Sequence, residues 1–305
     1  MTKNNKNPLV TVVVPAYNHE DFVEGCVESI LSQDYKEIEL FVINDGSTDG
    51  TGKKIEDLCK KYGDRINYIN KENEGLISSL NIALHKGRGK YFCELASDDS
   101  WVEGSLSARV EFLENNTFYD AVFGDIYYVE NGIRTDKRLV STVKYGGYDS
   151  KKHNVNHLLE IKRMIVFPTG LFKRQVLIDI GAFDDDFRNF EDIATRYKLV
   201  AKAKVGYIDE PLLWYRKHDA NVSASSKHFL SMKEESMLAL EKLLTETSDG
   251  QTRSHIKKKL FRRYIGYLKL GLNGNIPTDK LSGVAQKAVT LNPWSLKARY
   301  YKVVI

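Results

Sequence analysis

Along its N-terminal part the chain alternates two hydrophobic rhythms. The run LVTVVVPAY, Leu9 to Tyr17, is almost continuously apolar, the pattern of a strand covered on both faces as in parallel sheets. In the next segment, EDFVEGCVESILSQ, the residues Phe22, Val23, Val27, Ile30 and Leu31 recur at helical spacing. The alternation continues through IELFVIN (strand), TGKKIEDLCKKY (helix), INYIN (strand), GLISSLNIALHKG (helix) and KYFCELA (strand). Strands and helices at this interval need crossover connections, so the pattern predicts a doubly wound α/β domain, a mostly parallel sheet with helices on both faces.

Past Trp101 the rhythm loosens. DAVFGDIYYVENG predicts a strand that ends in a turn at Asn131 and Gly132, and the polar stretch Lys137 to Asn156 predicts a flexible excursion. FPTGLFKRQVLIDIGAFDDDF predicts a strand and a short helix, and EDIATRYKLVAKA a helix with acids at its start, where the helix dipole favours them. From Phe229 the chain reads as mostly helical to its end, so the expected division is a catalytic domain over 1–226 and a helical C-terminal extension over 227–305.

In doubly wound sheets ligands bind beyond the carboxyl ends of the strands, near the point where strand order reverses. Three predicted strand exits carry polar chemistry: PAYN (Pro15 to Asn18), NDGSTDGT (Asn44 to Thr51) and ASDD (Ala96 to Asp99). Adjacent carboxylates at Asp98 and Asp99 repel each other unless a positive group intervenes, and a divalent cation shared with ligand phosphates meets that need. The plain alternative is a turn at Asp98 and a helix cap at Asp99 or Ser100. Asp45 can accept a hydrogen bond from the edge of a base while Tyr17 offers a ring face for stacking, or the segment is a tight turn with a cap at Ser47 or Thr48. Glu191 and Asp192 are ordinary helix-start acids unless one lies within reach of a bound hydroxyl, where it becomes a general base. Arg216 and His218 stand two apart after an apolar run and point to one side if that segment is extended.

Composition narrows the class. Over 305 residues, 42% hydrophobic and 28% charged content suits a globular protein with a sizeable core. No run approaches the ~20 apolar residues of a membrane span and the N-terminus lacks the apolar stretch of a signal peptide, so the reading is cytoplasmic. Cys26, Cys59 and Cys93 show no paired spacing, which argues against a zinc site or disulfide framework and for buried, inert thiols. The net charge of +4 hides an asymmetry: from Lys227 onward there are 15 Lys and Arg against 6 Asp and Glu, whereas the preceding part carries 30 against 35. Neither G-x-x-x-x-G-K-[ST] nor G-x-G-x-x-G occurs after the first strand, so phosphate charge must be met by other means, such as a metal.

Taken in order, VTVVVPAYN, SILSQDYKEIELFVINDGSTDGT, NEGLISSLN, GKYFCELASDD, GAFDDDF, ED and LLWYRKHDANVS resemble the inverting glycosyltransferases of family two, of the GT-A, Rossmann-like fold, in the type that builds bacterial surface polysaccharides. The resemblance spans Pro8 to Ser223 and implies a nucleotide-sugar donor, UDP-linked for preference, and a glycan or lipid-linked glycan acceptor. It implies base binding by Tyr17 and Asp45 with backbone contacts from Pro15, ribose contact at Asp98, and Mn²⁺ or Mg²⁺ held by Asp99 and Asp98 with help from His218. Asp192 matches the catalytic base, with Glu191 in reserve. Two positions depart from the pattern: Ala96 replaces the first acid of the common D-x-D-D, leaving the metal to Asp99, and Leu80 replaces the arginine often found before the asparagine that matches Asn81.

The stretch HIKKKLFRRYIGYLKLGL alternates basic and apolar residues in helical fashion. It reads as an interfacial helix resting on anionic lipid at the inner membrane face, or as a helix burying Leu260, Tyr264, Tyr267 and Leu268 on its own catalytic domain or on a second subunit. Two rival functions remain: a non-catalytic sugar-nucleotide or glycan-binding module on the same fold, and a nucleotidyltransferase, which would present a Gly-rich, basic loop where this chain has the acidic PAYNHEDF. An acid-lined site does not suit nucleic acid.

Overall fold

A computed structural model describes residues 7–139, 166–187, 191–218, 229–272 and 276–304. The chain divides into two compact units, the first holding residues 7–218 of the described set and the second 229–304.

The first unit is built on β1 (Val10–Ala16), β2 (Ile38–Asp45), β3 (Ile66–Lys71), β4 (Tyr91–Glu94), β5 (Ser100–Trp101), β6 (Ala121–Glu130), β7 (Ile133–Arg138), β8 (Leu171–Lys173) and β9 (Val205–Lys217). The strands lie in the order β3-β2-β1-β4-β8-β6-β9-β5, with β7 paired to β6. β1 pairs in parallel with β2 on one side and β4 on the other, so strand order reverses between β1 and β4. The exits of β2, β1 and β4 are therefore neighbours along one rim. β8 and β5 enter antiparallel, and β6 and β9 run parallel.

The periodicities explain the elements. Val10, Val12, Val13 and Val14 are all fully buried, as a strand covered on both faces requires. Helix α1 (Val23–Leu31) buries Val23, Cys26, Val27, Ile30 and Leu31, one stripe of a 3.6-residue repeat. α2 (Thr51–Tyr62) buries Ile55 and Leu58, and α3 (Leu76–Lys86) buries Ile77, Leu80, Ala83 and Leu84. α4 (Ser105–Asn115), α5 (Arg174–Asp179) and α6 (Glu191–Lys202) complete the unit. Asn131 and Gly132 take positive φ (52° and 76°), the two-residue turn whose twist matches a hairpin, and Glu130 pairs Ile133 across it.

In the first unit the structure corrects the sequence reading in four places. Phe22 lies just outside α1 and is half-buried rather than part of its core stripe. The residues after Asp99 form the two-residue strand β5, which pairs with Trp214 and Leu213 of β9, before α4 begins. Lys137 and Arg138 belong to β7, not to the expected excursion, whose residues from 140 onward lie outside the described set. Cys59 is half-buried, whereas Cys26 and Cys93 are buried, with burial pushing the Cys93 thiol up to about 12.

β7 is fixed by charge as well as pairing. Arg138 Nε donates to the fully buried carboxylate of Asp125 at 2.8 Å, and its Nη2 donates to Asp209 at 2.6 Å. Asp125 Oδ1 also accepts from the Ile126 amide at 2.8 Å, beside the irregular register between β6 and β9.

The second unit consists of α7 (Phe229–Glu246), α8 (Gly250–Gly271), α9 (Thr278–Leu291) and α10 (Leu296–Val304). Asp249 caps α8, accepting from the Thr252 amide at 2.6 Å. Leu260, Tyr264, Tyr267 and Leu268 are buried inside this unit, which corrects their assignment to the catalytic domain or a second subunit. Tyr264 donates to Glu241 of α7 at 2.6 Å, Tyr267 donates to Glu234 of α7 at 2.5 Å, and Lys287 and Lys280 of α9 join the same two carboxylates. The apolar face of α8 is thus consumed by its neighbours, leaving basic residues such as Lys257 and Lys258 exposed. Among the described residues no helix is long and apolar enough to cross a membrane.

Candidate active site

The rim at the strand exits is laced together. The Asn18 amide donates to Ser47 Oγ at 3.0 Å and its side-chain oxygen accepts from the Thr48 amide at 2.8 Å, joining the exits of β1 and β2. Cys26 Sγ donates to the carbonyl of Ala96 at 3.5 Å, tying α1 to the exit of β4. The Asp99 amide closes a turn on that same carbonyl at 3.0 Å, so the residue where an acid is common serves here through its backbone.

Asp98 and His218 come together. His218 Nε2 lies 3.0 Å from Asp98 Oδ2, and Arg216 Nε donates to the Asp98 carbonyl at 2.9 Å. Phe22 stacks on the His218 ring at 4.9 Å and 26°, and the Arg216 guanidinium lies 5.1 Å from the centre of the same Phe22 ring. Arg216 and His218 do therefore face one side, toward the acids.

The third member of the cluster is His19, which the sequence reading passed over. One ligand atom each from His19, Asp98 and His218 falls within 4.8 Å of the others. A small inward shift brings such a set within the ~2.0–2.3 Å reach of one divalent ion, and two imidazoles with a carboxylate are suitable donors. His19 Nδ1 lies 2.8 Å from Ser97 Oγ. Burial holds the His19 imidazole below its ordinary value, against the upward pull of Asp98, and His218 adds to the depression, so the neutral form that can donate a lone pair is favoured. The missed signal was the PAYNHEDF run itself: a histidine stands two residues after Tyr17 at a strand exit.

Asp99 behaves differently from its neighbour. It is buried, and its Oδ1 accepts from the Arg216 amide at 2.8 Å. Burial and the adjacent Asp98 charge push its carboxyl well above the usual carboxylate range, against the pull of Arg216. The expectation of a metal ligand at Asp99 and ribose contact at Asp98 therefore meets a structure that groups Asp98, not Asp99, with the imidazoles.

Tyr17 stands at the exit of β1, 46% exposed as a residue, directly after Pro15 and Ala16 of the strand. Asp45 is buried at the exit of β2, where Lys71 pairs with it and the Glu74 amide donates to Oδ1 at 3.0 Å. Asp192 lies in the first turn of α6, half-buried, with Arg196 Nη2 3.7 Å from its Oδ2. The side chain of Glu191 lies outside the described set. Leu80 is a core residue, and Asn81 Nδ2 donates to the Phe183 carbonyl at 2.9 Å and to Asp185 at 3.3 Å, tying α3 to the GAFDDDF segment.

Gly46 shows how tightly this rim is packed. It has φ of +71°, and a Cβ on it would stand 2.5 Å from the Asn73 amide nitrogen. Gly46→Ala is expected to destabilise the protein by about 2–4 kcal/mol, adding left-handed strain to overpacking. A denaturant midpoint that matches the parent's would contradict this.

This architecture, a curled and mostly parallel sheet with acids at the β4 exit and neighbouring polar loops, is the GT-A fold of sugar transferases. The model of the glycosyl transferase family 2 matches residues 11–181, and the chain belongs to that family. An uncharacterised glycosyltransferase of Rickettsia typhi is 27% identical over 296 residues, covering 92% of this chain and 88% of its own. The putative teichuronic acid biosynthesis glycosyltransferase TuaG of Bacillus subtilis is 28% identical over 223 residues, covering 72% and 84%. Among solved structures, S. aureus TarS 1-349 in complex with UDP superposes with a TM-score of 0.67 at 18% identity, covering 97% of this chain and 88% of that one. The mannosyltransferase PcManGT of Pyrobaculum calidifontis, in complex with GDP-Man and Mn²⁺, gives 0.60 at 18% identity, covering 98% and 84%. The chain is a glycosyltransferase.

Proposed function

We propose that this glycosyltransferase moves a sugar from a UDP-type nucleotide donor to a hydroxyl of a glycan or lipid-linked glycan, with inversion at the anomeric carbon, in the synthesis of a bacterial surface polysaccharide. The observation that carries the reading is the convergence of Asp98 and His218 at the strand-order reversal, on the rim that also bears Tyr17 and Asp45. Neighbouring structures that bind UDP, UDP-GlcNAc and GDP-Man support a nucleotide-sugar donor. The teichuronic acid biosynthesis role that TuaG's name carries supports a polysaccharide product.

In this reading Tyr17 offers its ring face to the base, Pro15 its backbone, and Asp45 accepts from the base edge. Asp98 and His218, with the neighbouring Asp99, would hold a metal ion, and a carboxylate with an imidazole fits Mn²⁺ or Mg²⁺. Such an ion, when bound, supplies positive charge opposite the departing diphosphate. Asp192, with Glu191 in reserve, takes the proton of the acceptor hydroxyl as its oxygen bonds to the anomeric carbon and the bond to the diphosphate oxygen breaks. Attack from the face opposite the leaving group inverts that carbon. The basic surplus of the helical unit suits an anionic inner-membrane surface bearing the acceptor.

The test is thermal stabilisation of the full chain by a panel of sugar nucleotides, with and without Mn²⁺ or Mg²⁺. At a hundredfold excess over Kd the correct donor contributes about 2.7 kcal/mol, a rise of roughly 5–10 °C, and does so only with the ion. Indifference to every sugar nucleotide sinks the donor assignment. Binding without turnover on any glycan acceptor assigns the chain to a non-catalytic module.

A further inference from the structure

The metal role proposed above draws on the acids at the β4 exit and on His218, and leaves His19 without a part. Yet the side chains that converge are His19, Asp98 and His218, while Asp99 is turned to the Arg216 amide. The geometry points to His19 as the third protein ligand of the cation site, making a set of two imidazoles and one carboxylate that selects Mn²⁺ over Mg²⁺.

His19 is held as a ligand is held. Its amide donates to Thr51 Oγ1 at 2.8 Å, and its carbonyl accepts from the Phe22 and Val23 amides, both at 3.0 Å. Ring Nδ1 is engaged by Ser97 Oγ at 2.8 Å, which leaves Nε2 as the nitrogen to offer. A hydrogen bond at the second ring nitrogen is the usual outer support of a metal-bound histidine, since it sets tautomer and ring direction. His218 is supported in a different way, by the Phe22 ring stacked on it at 4.9 Å. The His19 and His218 rings approach edge to face at 90°, with centroids 6.0 Å apart, so the two imidazoles converge without stacking on each other.

The donor set decides the ion. Mg²⁺ prefers oxygen ligands and gives up water reluctantly, and imidazole nitrogen adds little to its binding. First-row transition ions gain from nitrogen donors, and Mn²⁺ accepts nitrogen and carboxylate oxygen together. With three protein ligands, coordination positions remain for diphosphate oxygens. The inference rests on the metal-dependent reading only in taking the site to hold a cation; it does not depend on which sugar is transferred.

The test is direct metal binding to the full chain after chelator treatment. Free Mn²⁺ is followed by electron paramagnetic resonance, with and without UDP, against rising Mg²⁺. The parent is expected to keep its Mn²⁺ in about tenfold excess of Mg²⁺. His19→Asn is expected to weaken Mn²⁺ by at least about tenfold and Mg²⁺ far less, so that discrimination collapses. Pulsed resonance of bound Mn²⁺ should detect two imidazole nitrogens in the parent and one in the variant. Should His19→Asn not fold, the parent spectrum alone decides: one nitrogen overturns the assignment. Equal competition by Mg²⁺ in the parent, or unchanged Mn²⁺ binding in a folded His19→Asn, also overturns it. Sugar-nucleotide turnover on the same preparations separates the failures, because turnover with an indifferent His19 leaves the transferase reading standing. A parent that turns over donor but binds no Mn²⁺ refutes both metal assignments and leaves the transfer itself untouched.

Discussion

Asp192→Asn is expected to lower the transfer rate by about 10²–10⁴-fold while leaving donor affinity unchanged, the loss that follows when a positioned base can no longer take a proton. Asparagine has nearly the shape of aspartate, so the packing of α6 should survive. Asp192 is half-buried in the first turn of that helix, and its partner is Arg196, one turn on. Arg196 Nη2, 3.7 Å from Asp192 Oδ2, helps orient that carboxylate on the first turn of the helix. Steady-state kinetics with the donor identified by thermal stabilisation and a glycan acceptor on which it turns over give the measurement. A fall in kcat with KM for the donor held constant supports the assignment, and a rise in donor KM at constant kcat would make Asp192 a binding residue instead. Glu191→Gln is the comparison: if it proves the more damaging, the base belongs to Glu191.

The second large effect concerns stability. Arg138→Met removes the guanidinium from the Asp125 carboxylate, which has no exposure to solvent at all. Separating a buried ion pair by deleting one partner leaves a charge in a medium that solvates it badly, at a cost of about 3–5 kcal/mol. A thermal midpoint roughly 10 °C lower follows for a unit of this size. Adding Asp125→Asn to Arg138→Met should recover much of the loss, because a neutral amide can still accept from the Ile126 amide. Equal stability of Arg138→Met and the parent at neutral pH would show that the pair contributes nothing.

Much of the first unit was legible because its elements announce themselves over short windows. The valine run of β1, the 3.6-residue stripes of α2 and α3 and the Asn131-Gly132 turn each depend on residues close in sequence, where periodicity and backbone sterics suffice. Phe22 was misread for the same reason: it continues the helical spacing, but the chain has not yet entered the helix, and its ring serves His218 far along the sequence. β5 escaped notice because two residues carry no period, and its existence depends on β9 arriving beside it. The basic and apolar alternation of α8 left a lipid-surface helix and a buried face both open, and the surface its four apolar residues cover is found only once α7 and α9 are placed.

At the rim, the sequence alone determined which side chains are delivered: Tyr17 and His19 after β1, Asp45 after β2, Asp98 and Asp99 after β4, His218 after β9. Those deliveries follow from where strands stop, and strand ends are local. Which acid meets which imidazole was decided by tertiary structure. Asp98 and His218 are 120 residues apart, His19 and Ser97 are 78 apart, and neighbouring carboxylates at 98 and 99 point to different partners because Arg216 holds one by its amide. Side-chain direction at a loop is set by the long-range hydrogen bonds and packing that surround it, and no pattern of residue types along the chain contains those vectors.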